Sequence, residues 1–155
     1  MTWRVAESLL ELREEIDAFA PDRSTEFDGT IGDEEHAGRK SDHNPSIKDS
    51  NGTGVVRALD VTHDPAGGLD AGRLAEHIRE LGASGDKRVS YVIWNERIAS
   101  PKAEWNWRRY PLAKESPHTG HVHISVSEDP VDYDSTDPWD IDQGLKPREK
   151  STRTT

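Results

Sequence analysis

The run His121-Val122-His123-Ile124-Ser125-Val126 constrains this chain more tightly than any other six residues. Polar and apolar side chains alternate without a break, and successive residues of a strand point to opposite faces. Val122, Ile124 and Val126 therefore share one face and must enter a core, whereas His121, His123 and Ser125 share the other. Two imidazoles aimed the same way make either an ordinary half-exposed surface or a metal-binding or catalytic one.

The remaining sequence limits what can be built around that strand. Val5, Leu9, Leu12, Ile16 and Phe19 recur at steps of four and three residues, which predicts an amphipathic helix ended by Pro21. Residues 22–54 hold glycine, proline and short polar side chains without periodicity, so they read as a long loop of the kind that often carries function. Val55 to Val61 reads as one strand, with Asp60 an acidic residue among apolar ones. A second helix is expected from Asp70 to Leu81: Asp70 is its N-cap, Leu69 staples onto Leu74, Leu74, Ile78 and Leu81 form the buried stripe, and Gly82 caps the end. Val89–Trp94 is a further strand, with Arg97–Ala99 as its hairpin partner. Residues 100–117 read as loop, in which Trp105, Trp107 and Tyr110 either wall a groove or cover the sheet. Residues 129–155 read as an acidic, proline-containing tail or linker in which Trp139 alone docks, leaving 1–128 as the folded domain. The expected class is α+β, a small antiparallel sheet with flanking helices and long loops.

Composition narrows the chemistry. With no cysteine, disulfides, thiolate nucleophiles and Cys-ligated zinc are excluded, so a metal here needs His and carboxylate ligands. A formal charge of -10 argues against nucleic acid and against anionic membranes as partners. The N-terminal residues lack the apolar core of a signal peptide, which predicts cytoplasmic synthesis.

Two imidazoles and one carboxylate form a tetrahedral zinc shell whose fourth position stays open for catalysis. His43 from the long loop, Asp60 from a strand and His123 from the alternating strand supply that set, with His118 and His121 close by as general base and oxyanion stabiliser. His63 either lines the same cleft or bonds to Asp64, and His36 and His77 read as ordinary loop and helix-surface residues.

In order along the chain, Ser41-Asp42-His43, Ala58-Leu59-Asp60 and His118-Thr119-Gly120-His121-Val122-His123 resemble the LAS group of zinc peptidoglycan peptidases. The closer likeness is to its D-alanyl-D-alanine/L-alanyl-D-glutamate peptidase branch, as in endolysins of phages that infect actinobacteria, and it extends over about residues 2–126. Asp28 to Asp33, Arg39 to Pro45, Arg57 to Asp64, Tyr91 to Asn95 and Pro117 to Ser125 carry it. The resemblance implies a hedgehog/D,D-peptidase-like fold and one catalytic Zn2+ held by His43, Asp60 and His123. It also implies acid–base or transition-state roles for His121 and His118, and substrate contacts from Ser41 and Arg39. Trp107 joins them as a candidate groove residue. Two departures stand out: no carboxylate lies between His118 and His123 to act as base, and the sixteen residues between His43 and Asp60 exceed the family's usual spacing.

The expected activity is zinc-dependent hydrolysis of an amide bond in the peptidoglycan stem peptide, either L-Ala-D-Glu or a D-Ala-containing bond. The expected protein is a monomeric endolysin, held in the host cytoplasm until a holin opens the membrane and attached to the wall by a separate domain or protein. The alternative is a non-catalytic, zinc-stabilised wall-binding module. Two-histidine phosphoesterase chemistry ranks below both, because the second copy that His123-Ile124-Ser125-Val126 needs on another strand is met only by His43-Asn44-Pro45-Ser46, which sits in a proline-containing loop and fits poorly.

Overall fold

A computed structural model describes residues 3–30, 44–45, 47–110 and 120–146. The chain opens with a short strand, β1 (Trp3–Val5), which leads into helix α1 (Glu7–Phe19). Leu9, Leu12 and Ile16 of the expected stripe are buried, whereas Val5 belongs to β1 rather than to the helix. Two further strands follow, β2 (Ile47–Lys48) and β3 (Gly54–Val56). Together they form a three-stranded sheet in the order β1-β3-β2, with β1 parallel and β2 antiparallel to β3.

The expected single strand at 55–61 is in fact two. β3 ends at Val56 and β4 (Ala58–Thr62) begins a second, five-stranded sheet. The break falls at Arg57, which is buried and donates from Nη1 to the Val126 carbonyl at 2.8 Å. β-forming apolar residues on both sides of Arg57 hide this break, because both halves are buried.

Helix α2 (Ala71–Ala83) begins as expected: the Asp70 carboxylate accepts from the Gly72 and Arg73 amides and satisfies two of the unpaired N–H groups of the first turn. Its end differs. Gly85, at φ +103°, is the left-handed terminating residue, with the Asp86 amide bonded back to the Leu81 carbonyl at 3.0 Å. Gly82 lies inside the helix, where a side chain would collide with the Trp105 ring. Strands β5 (Val89–Trp94) and β6 (Arg97–Ala99) form the expected hairpin. Its two turn residues, Asn95 and Glu96, take φ values of 54° and 61°, which matches the strand twist as a type I′ turn does. β7 (Arg108–Arg109) pairs with β6, and β8 (His121–Val126) inserts between β4 and β5. The sheet order is β4-β8-β5-β6-β7, antiparallel throughout, so the whole is α+β as expected.

One side of β8 faces α2, and Val122, Ile124 and Val126 join Leu74, Ile78 and Val92 in the core. That core continues into the segment expected to be a tail. α3 (Pro130–Tyr133) packs on α1, and α4 (Ile141–Leu145) packs on both α1 and α2. Tyr133, Trp139 and Ile141 are fully buried, and Leu145 nearly so. The folded unit therefore runs through Lys146, and the boundary expected at 128 is corrected; residues 147–155 lie outside the described residues. The Trp139 indole donates to the Ser8 carbonyl at 2.9 Å and stacks under the Arg88 guanidinium at 3.8 Å. Arg88 also donates to the carbonyls of Asp137 and Pro138, and the Glu15 carboxylate accepts from the Trp139 and Ile141 amides. Few residues of this segment are apolar, but all the large ones except Val131 are inside.

Trp139→Ala should cost about 3–5 kcal/mol in urea unfolding, the range for emptying a buried aromatic site. A chain ending at Glu128 should lose cooperative unfolding altogether, since the inner faces of α1 and α2 would be exposed.

Acid sensitivity follows from the same clamps. Burial pushes the Asp86 carboxyl up, but its hydrogen bonds and charge contact with Arg88 outweigh that and hold it below its ordinary 3.8. Asp134 behaves alike: desolvation raises it, while Arg4 and the Glu7 amide lower it further. A depressed folded-state pKa stabilises the fold above the unfolded value and is lost as pH falls through the folded value. Stability should therefore begin to fall as pH drops through about 4, and Asp86→Asn with Asp134→Asn should flatten that fall, read as urea midpoint against pH.

Candidate functional site

The register of β4 on β8 brings the sequence candidates together. Asp60 sits directly opposite His123, and Thr62 opposite His121. Asp60 Oδ1 lies 3.2 Å from His123 Nδ1, and Asp60 Oδ2 lies 3.7 Å from His121 Nε2. Both imidazoles expected on the polar face of β8 thus meet one carboxylate. The face is sheltered: side-chain exposure is 18% at His121 and 9% at His123, and Ser125 is fully buried. Exposure falling along the strand makes His121 the ring at the mouth and His123 the ring inside.

Each ring is held from a second direction. Tyr91 of β5 stacks on His123, with centroids 5.5 Å apart and planes 11° from parallel. His123 Nε2 meets Ser125 Oγ at 2.9 Å. The Phe27 ring lies 6.4 Å from that of His121 and is half exposed. Tyr91, Phe27 and Ser125 were not assigned site roles from sequence. Ser125 was legible in principle, two residues beyond His123 on the same face, but Phe27 reaches the site only through tertiary structure.

That tertiary route is a buried arginine. The Arg23 side chain, 2% exposed, grips both oxygens of Asp28 at 3.1 and 2.8 Å and also bonds Asp17. Asp28 Oδ1 in turn accepts from the Thr62 amide at 2.8 Å and from the Thr62 hydroxyl at 2.7 Å, and that hydroxyl accepts from the Phe27 amide. Gly29 then pairs with Asp60 through two backbone hydrogen bonds. The 23–29 segment is consequently fastened along β4 beside the site, although the sequence reads as unpatterned loop.

Other candidates fall elsewhere. His63 takes neither expected role: its Nδ1 accepts from the Ala71 amide at 3.0 Å, helping to cap α2, and its ring packs on Trp94. A ring nitrogen that accepts is unprotonated, so His63 is held as the Nε2–H tautomer. His77 is half-buried rather than at the helix surface, and its Nε2 meets the Trp139 carbonyl at 2.7 Å. Trp107 donates from Nε1 to Glu76 of α2 at 2.9 Å, and Trp105 lies over Gly82 of the same helix. These contacts lay Trp107 against α2, which packs on β5 and β8. His43, His118, Arg39, Ser41 and His36 lie outside the described residues.

A carboxylate oxygen and an imidazole nitrogen 3.2 Å apart suit neighbouring corners of a tetrahedral zinc shell. The edge of such a shell is about 3.4 Å for bonds of about 2.1 Å. The donor chemistry of Asp60 and His123 therefore fits zinc. Among the described residues no group of three His, Asp or Glu side chains is arranged to hold a metal, and the third ligand expected from sequence, His43, is not one of them. Among them, too, no helix is long and apolar enough to cross a membrane. No family model, curated protein or solved structure gives a significant match to this chain.

Removing the Asp28 carboxylate should leave the buried guanidinium of Arg23 with the exposed Asp17 as its remaining counter-charge. Asp28→Ala should destabilise the protein by about 3 kcal/mol in denaturant titration, at the low end for breaking a buried pair because Asp17 remains.

Proposed function

We propose that the protein is a zinc metallopeptidase that hydrolyses an amide bond in the peptidoglycan stem peptide, as a phage endolysin would. The observation that carries this reading is the cluster on β4 and β8, where one sheltered carboxylate faces Nδ1 of His123 and Nε2 of His121. It gains weight from the ordered likeness of Ser41-Asp42-His43, Ala58-Leu59-Asp60 and His118 to His123 to the LAS peptidases. On this reading the α+β architecture is of the hedgehog/D,D-peptidase kind, and the metal is held by His43, Asp60 and His123.

Zinc bound there supplies Lewis acidity that polarises the scissile carbonyl. The protein's own residues do the rest. His121, at the mouth of the site, takes a proton at Nε2 from the attacking water and returns it to the leaving amine. Asp60 Oδ2, 3.7 Å away, favours the protonated imidazole between those two transfers. His118 is the other histidine that the resemblance assigns to the reaction. Arg39 and Ser41 contact substrate, and Phe27 offers an apolar wall beside His121. A formal charge of -10 repels an anionic wall, so attachment to the wall falls to a separate domain or protein.

The test is release of new amino groups from purified peptidoglycan by the zinc-loaded protein, with mass spectrometry of the products to identify the bond. His123→Ala and Asp60→Ala should lose bound zinc and activity together. His121→Ala should keep zinc and lose at least a hundredfold in rate, within the usual contribution of a general acid–base. Wall binding by the zinc-loaded protein without any amino-group release would overturn the peptidase reading and favour a zinc-stabilised wall-binding module.

A further inference from the structure

The two nitrogens of His123 face different partners, and the partner on the inner side is a hydroxyl. Nδ1 faces Asp60 Oδ1 at 3.2 Å, and Nε2 faces Ser125 Oγ at 2.9 Å. The ring cannot turn away from either, because Tyr91 stacks flat against it and Asp60 lies across from it in the strand register. Ser125 itself is fully buried, so its hydroxyl has no water to fall back on and the imidazole is its partner.

A neutral imidazole carries one N–H and one lone pair, and a hydroxyl can both donate and accept. In the Nδ1–H tautomer, Nε2 accepts from the Ser125 O–H, while Nδ1 faces the Asp60 carboxylate at ion-pair distance. A metal ligand at Nδ1 needs the opposite tautomer, in which the proton resides on Nε2 and must be donated to something. In this site that acceptor is Ser125 Oγ. An alanine or an apolar residue there would leave a buried N–H unsatisfied in the metal-ready form, and a residue that only donates could not serve it at all.

We propose that Ser125 is a positioning residue for metal binding: by turning its hydroxyl it holds His123 in the Nε2–H tautomer, in which the lone pair for coordination beside Asp60 is the one on Nδ1. This rests on the reading of the site as a zinc centre. Outer partners of ligating histidines commonly contribute ten- to hundredfold in metal affinity by fixing the tautomer. Here the partner is provided by the strand itself, since residues two apart on β8 share a face.

The experiment compares the full chain with Ser125→Ala, which removes one oxygen, and with Ser125→Thr, which restores the hydroxyl. Zinc affinity is measured by chelator competition, and the His123 tautomer by nitrogen-15 NMR of histidine-labelled protein with and without zinc. Ser125→Ala should bind zinc about ten- to hundredfold more weakly and lose the slowly exchanging Nε2–H signal of the zinc-loaded protein. Its metal-free unfolding midpoint should fall only modestly, as one buried hydrogen bond is lost, and Ser125→Thr should recover most of the affinity. Unchanged zinc affinity in Ser125→Ala, or an unchanged Nε2–H signal, would overturn the role of Ser125 while leaving the zinc reading intact. Failure of the unmodified protein to bind zinc at all would overturn the functional reading itself and, with it, the positioning role.

Discussion

The pairing of β4 with β8 is the contact on which the rest of the site depends. Because strand side chains alternate with a period of two, only one parity of register puts Asp60 on the side of His121 and His123. A slip by one residue would send the carboxylate into the apolar layer under α2 and the imidazoles out of its reach. That slip is prevented from both faces. Val122, Ile124 and Val126 must reach the core, and the outer edge of β4 is locked by the two backbone bonds between Asp60 and Gly29. The burial that makes the fold stable is thus the same constraint that aims the polar groups.

A chain that is only 32% hydrophobic has to hold its loops by other means, and here the means are buried arginines. Arg23, Arg57 and Arg88 are all less than a tenth exposed. A guanidinium offers five donors in a fixed plane, so one side chain can satisfy several carbonyl or carboxylate oxygens that would otherwise be left bare. Arg23 secures the 23–29 segment through Asp28, Arg57 fixes the passage from one sheet to the other through the Val126 carbonyl, and Arg88 gathers the carbonyls of Asp137 and Pro138 while covering Trp139. Each works at a point where the chain has no regular structure to satisfy its own backbone.

This explains which parts were legible in the sequence. α2 and the β5–β6 hairpin carry local signals, a cap and a tight turn, and β8 carries a strict alternation; each was read with nearly correct bounds. Asp60 stood out because a carboxylate among Val56, Ala58, Leu59 and Val61 needs a partner. What could not be read locally was long-range. The split at Arg57 lies between two short β-forming apolar stretches, Val55-Val56 and Ala58-Leu59, that read as one strand, and the contact between Phe27 and His121 depends on Thr62 and Arg23. The C-terminal segment has the composition of a linker and the burial of a core layer. Yet Asp129-Pro130 is a helix start, an N-cap followed by proline at the first turn, and Ile141 and Leu145 are four apart on one helical face.

The C-terminal segment also alters how the site is supported. α4 packs on α2, and α2 packs on β5 and β8, the strands that carry Tyr91 and both imidazoles. Trp139 and His77 join these layers, the carbonyl of one meeting the ring of the other at 2.7 Å. Residues 130–145 are therefore one layer removed from the site rather than an appendage to it. Strand pairing sets which way the imidazoles point, and this second layer of helices presses the opposite face of β8 so that they stay there.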